Sequence, residues 1–132
     1  MMMVLAVGLA ASTTAHAGAA HPIPATPYHH AVIHASPNPA RRGQNILVYG
    51  SVPKFGIAPG CPVGDEVTLI SKAFPRAHEF ASIPAIYALV RHNGSFSVRT
   101  RVPGRIRAGR YLISARCGGG DFGTSTILRV LN

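Results

Sequence analysis

From Val32 onward the apolar residues come in short runs that alternate with polar ones at a period of two. Gly, Pro, Asn or Asp break them at a spacing of roughly 8–12 residues. "NILVYGS" (45–51) is β-branched and apolar, and reads as a first core strand. "DEVTLIS" (65–71) alternates, with Val67 and Leu69 on one face and Thr68 and Ile70 on the other. "AIYALVR" (85–91) is a third run. The "HNG" that follows at 92–94 holds an Asn-Gly pair and predicts a tight hairpin turn. "SFSVRTRV" (95–102) then puts Phe96, Val98, Thr100 and Val102 inward and Ser95, Ser97, Arg99 and Arg101 outward. "RYLISARC" (110–117) sets Tyr111, Ile113, Ala115 and Cys117 against Leu112, Ser114 and Arg116, and "GTSTILRVL" (123–131) closes the pattern. With an edge piece at 32–35, seven strands are expected and no helix, which is the pattern of an all-β antiparallel sandwich. The connection 73–84 carries no assignable period.

The chain ahead of this pattern has a different texture. "MMMVLAVGLAA" is an apolar run of roughly eleven residues, the span of a signal core and short of the ~20 that a membrane helix needs. Ala15 and Ala17 supply the small residues for a cut after Ala17, although no Lys or Arg precedes the core. Residues 1–17 therefore read as a signal peptide and 18–31 as a Pro/Ala/His-rich tether. Residues 32–132 read as one β-sandwich domain, and none of its segments has the length to span a bilayer as a helix.

Export changes how the two cysteines are read. Cys61 and Cys117 are the whole supply, and in a secreted chain an even count favours one internal bridge. Charge changes the choice of partner. The chain carries 13 Lys and Arg against 4 Asp and Glu, a net charge of +9, and such an excess favours anionic partners while saying nothing about fold.

Four stretches carry a resemblance: "SPNPARRGQNILVYGS", "CPVGDEVTLIS", "NGSFSVRTRVP" and "AGRYLISARCGGGDFG". In order and turn chemistry they resemble the secreted immunoglobulin-like modules of actinobacterial surface and exported proteins, over about residues 32–131. That resemblance implies an immunoglobulin-like β-sandwich of about seven strands in which Cys61 pairs with Cys117. It departs from antibody-type domains, since the chain has no tryptophan and Tyr111 lies six residues before Cys117 rather than two. More distantly, size and the "NGSFSVRTRV" hairpin resemble the apoproteins that carry enediyne antibiotics. Those use two disulfides, where this chain has cysteines for one.

Candidate chemistry is sparse. The "DFG" at 121–123 has no catalytic loop or strand lysine to make a kinase of it. "GGGDFG" lacks the Gly-Lys-Ser/Thr that a phosphate loop needs. It reads instead as a tight reversal after Cys117, with Asp121 as turn former. No Gly-x-Ser-x-Gly elbow is present. Asp65 and Glu66 are adjacent and would point to opposite faces of a strand. His78 and Glu79 are an isolated acid–base dipeptide of the kind that arises by chance. Asn93-Gly94-Ser95 fits a glycosylation sequon, but its turn accounts for it. His21, His29, His30 and His34 could capture a metal from a mobile arm. Without a cysteine or carboxylate among them no coordination geometry follows, and a solvated, composition-biased arm is the better account of them.

Arginine supplies the constellation with most content. Arg99, Arg101, Arg105, Arg107 and Arg110 fall within a dozen residues, and Arg116 would join them if its strand neighboured theirs. Guanidinium forks match phosphate and carboxylate bidentately, so these six form a candidate anion-binding face, the alternative being an ordinary solvated surface in an arginine-rich chain. Aromatic residues that could stack bases are not interleaved, which argues against nucleic acid. The expectation is a secreted, non-enzymatic, cofactor-free module at or outside the cell envelope. Its partner would be an anionic polymer or a surface protein, met by the arginine face. The alternative is a small-ligand carrier with an apolar pocket around Tyr87 and Tyr111.

Overall fold

The computed structural model describes residues 31–52, 61, 64–117 and 120–132. The expected signal peptide and all of the tether except Ala31 lie outside these residues, as do His21, His29 and His30, the Pro62-Val63 pair and the Gly118-Gly119 pair.

The described residues form nine strands in two sheets, with no helix. The strands are β1 (Val32–Ser36), β2 (Ala40–Arg41), β3 (Asn45–Ser51), β4 (Glu66–Ile70), β5 (Glu79–Phe80), β6 (Ile83–Leu89), β7 (Ser95–Arg101), β8 (Gly109–Cys117) and β9 (Gly120–Leu131). The smaller sheet runs β1-β3-β7 and the larger β2-β9-β8-β4-β6-β5. Every pair is antiparallel except β2 with β9. The alternation read from sequence decides which residues meet between the sheets. Ile33, Ile46, Val48 and Phe96 from the small sheet join Val67, Leu69, Ile113, Ala115, Leu128 and Val130 from the large one in a single buried core.

Cys61 and Cys117 are disulfide-bonded, with Cα atoms 5.6 Å apart and a sequence separation of 56. The bridge ties the connection between β3 and β4 to the end of β8, next to Val67 in the ladder.

Three local readings change. The Asn-Gly turn is present, but it does not join two strands of one ladder. Gly94 N–H donates to the Arg91 carbonyl at 2.9 Å and Arg91 N–H to the Ser95 carbonyl at 2.9 Å. Only Gly94 has positive φ, at 80°. This is a three-residue loop with a left-handed glycine rather than a two-residue primed turn. Beyond it the chain changes sheets: β6 is already paired with β4 and β5, and β7 completes its ladder on β3. The Asn93 carboxamide oxygen is spent locally, accepting from Ser95 N–H at 3.0 Å and Ser95 Oγ at 2.6 Å.

The unassigned connection 73–84 contains a real hairpin. Phe80 pairs with Ile83 across Ala81 and Ser82, whose φ values are 50° and 67°. This is the primed geometry that Asn-Gly usually marks, made here from residues that carry no such signal. Phe74, from the same connection, is buried in the core. The last strand also begins earlier than expected, at Gly120, so the reversal after Cys117 falls on residues outside those described. Asp121 turns the chain within β9, where its carboxylate accepts from Gly123 N–H at 2.7 Å beside a register shift against β8.

Tyr111 anchors the crossing between the sheets. It is half-buried at the start of β8, and its hydroxyl donates to the Arg107 carbonyl four residues upstream. Tyr111→Phe is expected to lower stability by about 1 kcal/mol, the usual worth of one such bond. A displaced urea midpoint with unchanged slope would register it.

Candidate anion-binding face

The strand order puts the candidate arginines toward one end of the two sheets but splits the expected face, with Arg99 and Arg101 outward on the small sheet and Arg110 outward on the large one. Arg99 and Arg101 stand exposed on β7, opposite Leu47 and Asn45. Arg105 and Arg107 are exposed in the crossing from β7 to β8, and Arg110 is the second residue of β8. The β2–β3 turn packs against this crossing. Gly43 N–H donates to the Val102 carbonyl at 2.8 Å, and Arg42 Nη1 reaches the Ile106 carbonyl at 3.5 Å. The Arg101 guanidinium lies beside Gly43, Nη2 being 3.5 Å from where a β-carbon there would sit.

Three arginines join this end that the sequence reading did not include. Arg129 stands directly opposite Arg110 in the β8–β9 ladder. Arg41 and Arg42 arrive through β2, which pairs with the last residues of β9. Arg41 Nη1 donates to the Asn132 backbone oxygen at 3.2 Å. The Arg41-Arg42 doublet is visible in the sequence. Nothing in its spacing says that it will meet a loop some sixty residues away.

Arg116 does not join them. Its strand neighbours are β4 and β9, never β7, and it sits six positions along β8 from Arg110. There its guanidinium lies over the Phe80 ring at 4.8 Å from the centroid. The physical reason is topological: β7 and β8 belong to different sheets, so a cross-ladder neighbour of Arg99 on β8 cannot exist.

The carboxylates lie elsewhere. Glu66 begins β4, one position from the residue opposite Cys117, and Asp65 precedes it. Asp121 is opposite Arg116. Both positions are toward the far end of β8, about 26 Å from Gly109 at ~3.3 Å per residue. Glu79 is engaged by Arg76 at 3.1 Å on the β5 edge. Eight arginines (41, 42, 99, 101, 105, 107, 110 and 129) therefore share one end with none of the described Asp or Glu side chains paired to them. Such a one-sided distribution concentrates positive potential where water and partners have access.

The other candidates come apart. His34 is in β1 rather than the tether, exposed, with its ring 5.3 Å from that of Tyr49. No group of three or more metal-binding side chains is assembled among the described residues. His78 lies against Tyr87, ring centroids 5.3 Å apart, while its neighbour Glu79 faces Arg76. Tyr87 and Tyr111 are on opposite faces of the large sheet. Tyr87 pairs with Thr68 on the outward side, and Tyr111 packs with the core. They do not line a common pocket. An open groove of about 600 Å³ lies instead at the arginine end, between Asn38-Pro39 and the start of β8. Among the described residues no helix is long and apolar enough to cross a membrane.

Compared with known protein families and with curated proteins, the chain matches no family model and no curated relative.

Proposed function

We propose that this chain is an exported, non-enzymatic immunoglobulin-like module of the kind found on actinobacterial surfaces, and that it works by holding an anionic polymer of the cell envelope against its arginine end. One observation carries the reading: eight arginines are gathered at one end, and the described carboxylates are placed elsewhere. Surfaces of this kind attract polyanions through many weak, screenable contacts.

The strand order supports the immunoglobulin-like part. A three-stranded sheet of the first, third and seventh strands packs on a larger sheet in which the eighth strand lies between the fourth and the ninth. Such a distribution of strands over two sheets is compatible with the sandwiches of immunoglobulin and fibronectin type III domains. The Tyr111 hydroxyl bonded back to Arg107 at the corner leading into β8 resembles the tyrosine corner of such folds and supports the same reading, although it lies nearer the strand start. The disulfide supports an oxidising compartment and hence export.

The purified protein should sediment with cell walls at low salt and be released as salt rises. Replacing Arg99, Arg101, Arg105 and Arg107 by glutamine should weaken wall binding by about fourfold or more, since each exposed pairing contributes about 0.2–1 kcal/mol. The same change should flatten the salt dependence. Equal wall binding by the quadruple variant would end the proposal.

A further inference from the structure

We infer that the outward face of the β8–β9 ribbon carries a discrete site for a phosphate monoester or a sulfate ester, gripped between Arg110 and Arg129. This rests on reading that end as anion-binding, and it names the group recognised there.

The two residues are direct cross-strand partners, both exposed. Like charges in that position repel, and a carboxylate beside them would ordinarily relieve the repulsion. Here the next pair along the same face is Leu112 with Ile127, and the carboxylate on this ribbon, Asp121, is opposite Arg116. Neither arginine is engaged by an acidic side chain among the described residues. The pair is a charged clamp without an internal counter-ion.

A cavity is present where the counter-ion would sit. Arg110 and Arg129 line the groove of about 600 Å³, together with Asn38, Pro39, Ile127 and Leu131. One wall is fixed by the Asn38 carboxamide. Its Nδ2 donates to the Ile127 carbonyl at 2.8 Å, and its Oδ1 accepts from Arg129 N–H at 3.0 Å. The backbone under Arg129 is thus already ordered before any ligand arrives, which removes part of the entropy cost of binding.

Ligand chemistry follows from having two forks. A carboxylate offers its acceptor sites in one plane and carries a single charge, which one guanidinium matches in a fork-to-fork pair. A phosphate or sulfate monoester presents three terminal oxygens and can accept from both forks at once. Arg41, on β2 alongside, donates to the Asn132 backbone oxygen and adds charge to the surroundings.

The probes are inorganic phosphate, sulfate and acetate, titrated into the full chain at constant ionic strength. Side-chain NMR follows each arginine, and thermal melting gives a second readout. Phosphate and sulfate should shift the Arg110 and Arg129 Nε–H signals together and raise the melting temperature, with acetate at least tenfold weaker. A larger effect of phosphate than of sulfate would assign the site to phosphate esters, and the reverse to sulfate esters. Arg129→Gln should lose at least tenfold in oxyanion affinity. It should also melt higher than the parent at low salt without ligand, because the repulsion has gone. Acetate matching phosphate would overturn the inference, as would Arg101→Gln harming phosphate binding as much as Arg129→Gln. Loss of oxyanion selectivity with wall sedimentation intact would remove this site alone, whereas loss of both would remove the arginine end as a binding surface.

Discussion

Replacing Cys61 and Cys117 together by alanine is expected to cost about 4 kcal/mol of folding stability, a large share of what a domain of this size holds in reserve. The bridge spans 56 residues of sequence. In the chain-entropy account, closing a loop of that length in the unfolded ensemble is worth roughly that amount. Both cysteines are 2 % exposed and belong to the core cluster, so the double variant also gives up a little buried surface. The bridge closes a specific gap in the architecture. Cys117 is held at the end of β8 between β4 and β9, whereas Cys61 sits in the long connection from β3, ahead of the Gly64 N–H bond to the Val90 carbonyl. At about 4–8 °C per kcal/mol for a domain of this length, the melting temperature should fall by roughly 15–30 °C. Calorimetry on the oxidised parent and the double variant tests this. A fall under about 5 °C would show that the bridge restrains a chain already ordered without it.

The period-two alternation made much of the fold legible. β3 was readable to the residue, β7 to within one residue of its end, and both faces of β7 and β8 were assigned as found, because a half-buried strand writes its burial directly into its side chains. Pairing is a different kind of information. The Asn-Gly signal correctly placed a turn but could not reveal that the two strands it joins part into separate sheets, since that depends on which ladders β4 and β3 offer them. β2 and β5, at two residues each, are too short to show any period. The Ala81-Ser82 turn is held in its left-handed conformation without a residue that prefers it. The candidate site follows the same division. Five of the six arginines chosen from sequence lie at one end because they are near one another in the chain. Arg116 was misplaced, and Arg41, Arg42 and Arg129 were missed, because their positions depend on the sheet order alone.

Gly50→Ala is expected to destabilise the domain by roughly 3 kcal/mol, the upper part of the range for forcing extra volume into a packed interior. The position looks harmless in sequence, near the end of an apolar strand where alanine would ordinarily gain stability over glycine. The packing reverses that expectation. A β-carbon on Gly50 would lie 1.8 Å from the Val32 carbonyl oxygen and 2.8 Å from Cζ of Phe96. Phe96 is fully buried and has little room to retreat. The nearer atom belongs to backbone already committed to the β1–β3 ladder, where Ile33 is opposite Gly50 and Val32 opposite Ser51. Relief therefore requires β1 to peel away, which exposes Ile33, otherwise 5 % exposed in the core. Full exposure of such a side chain alone costs about 1.5–3 kcal/mol. Gly104→Ala is the control. A β-carbon there meets nothing within 4 Å and the φ is not left-handed, so that change should be neutral or stabilise by up to about 1 kcal/mol through the unfolded chain. Urea unfolding of the two variants should move the midpoint in opposite directions or leave the Gly104 variant in place. Hydrogen exchange on the Gly50 variant should show β1 opening first, with β3 and β7 still protected. If instead both variants unfold with the parent, β1 does not lie on β3 in the register that brings Val32 over Gly50.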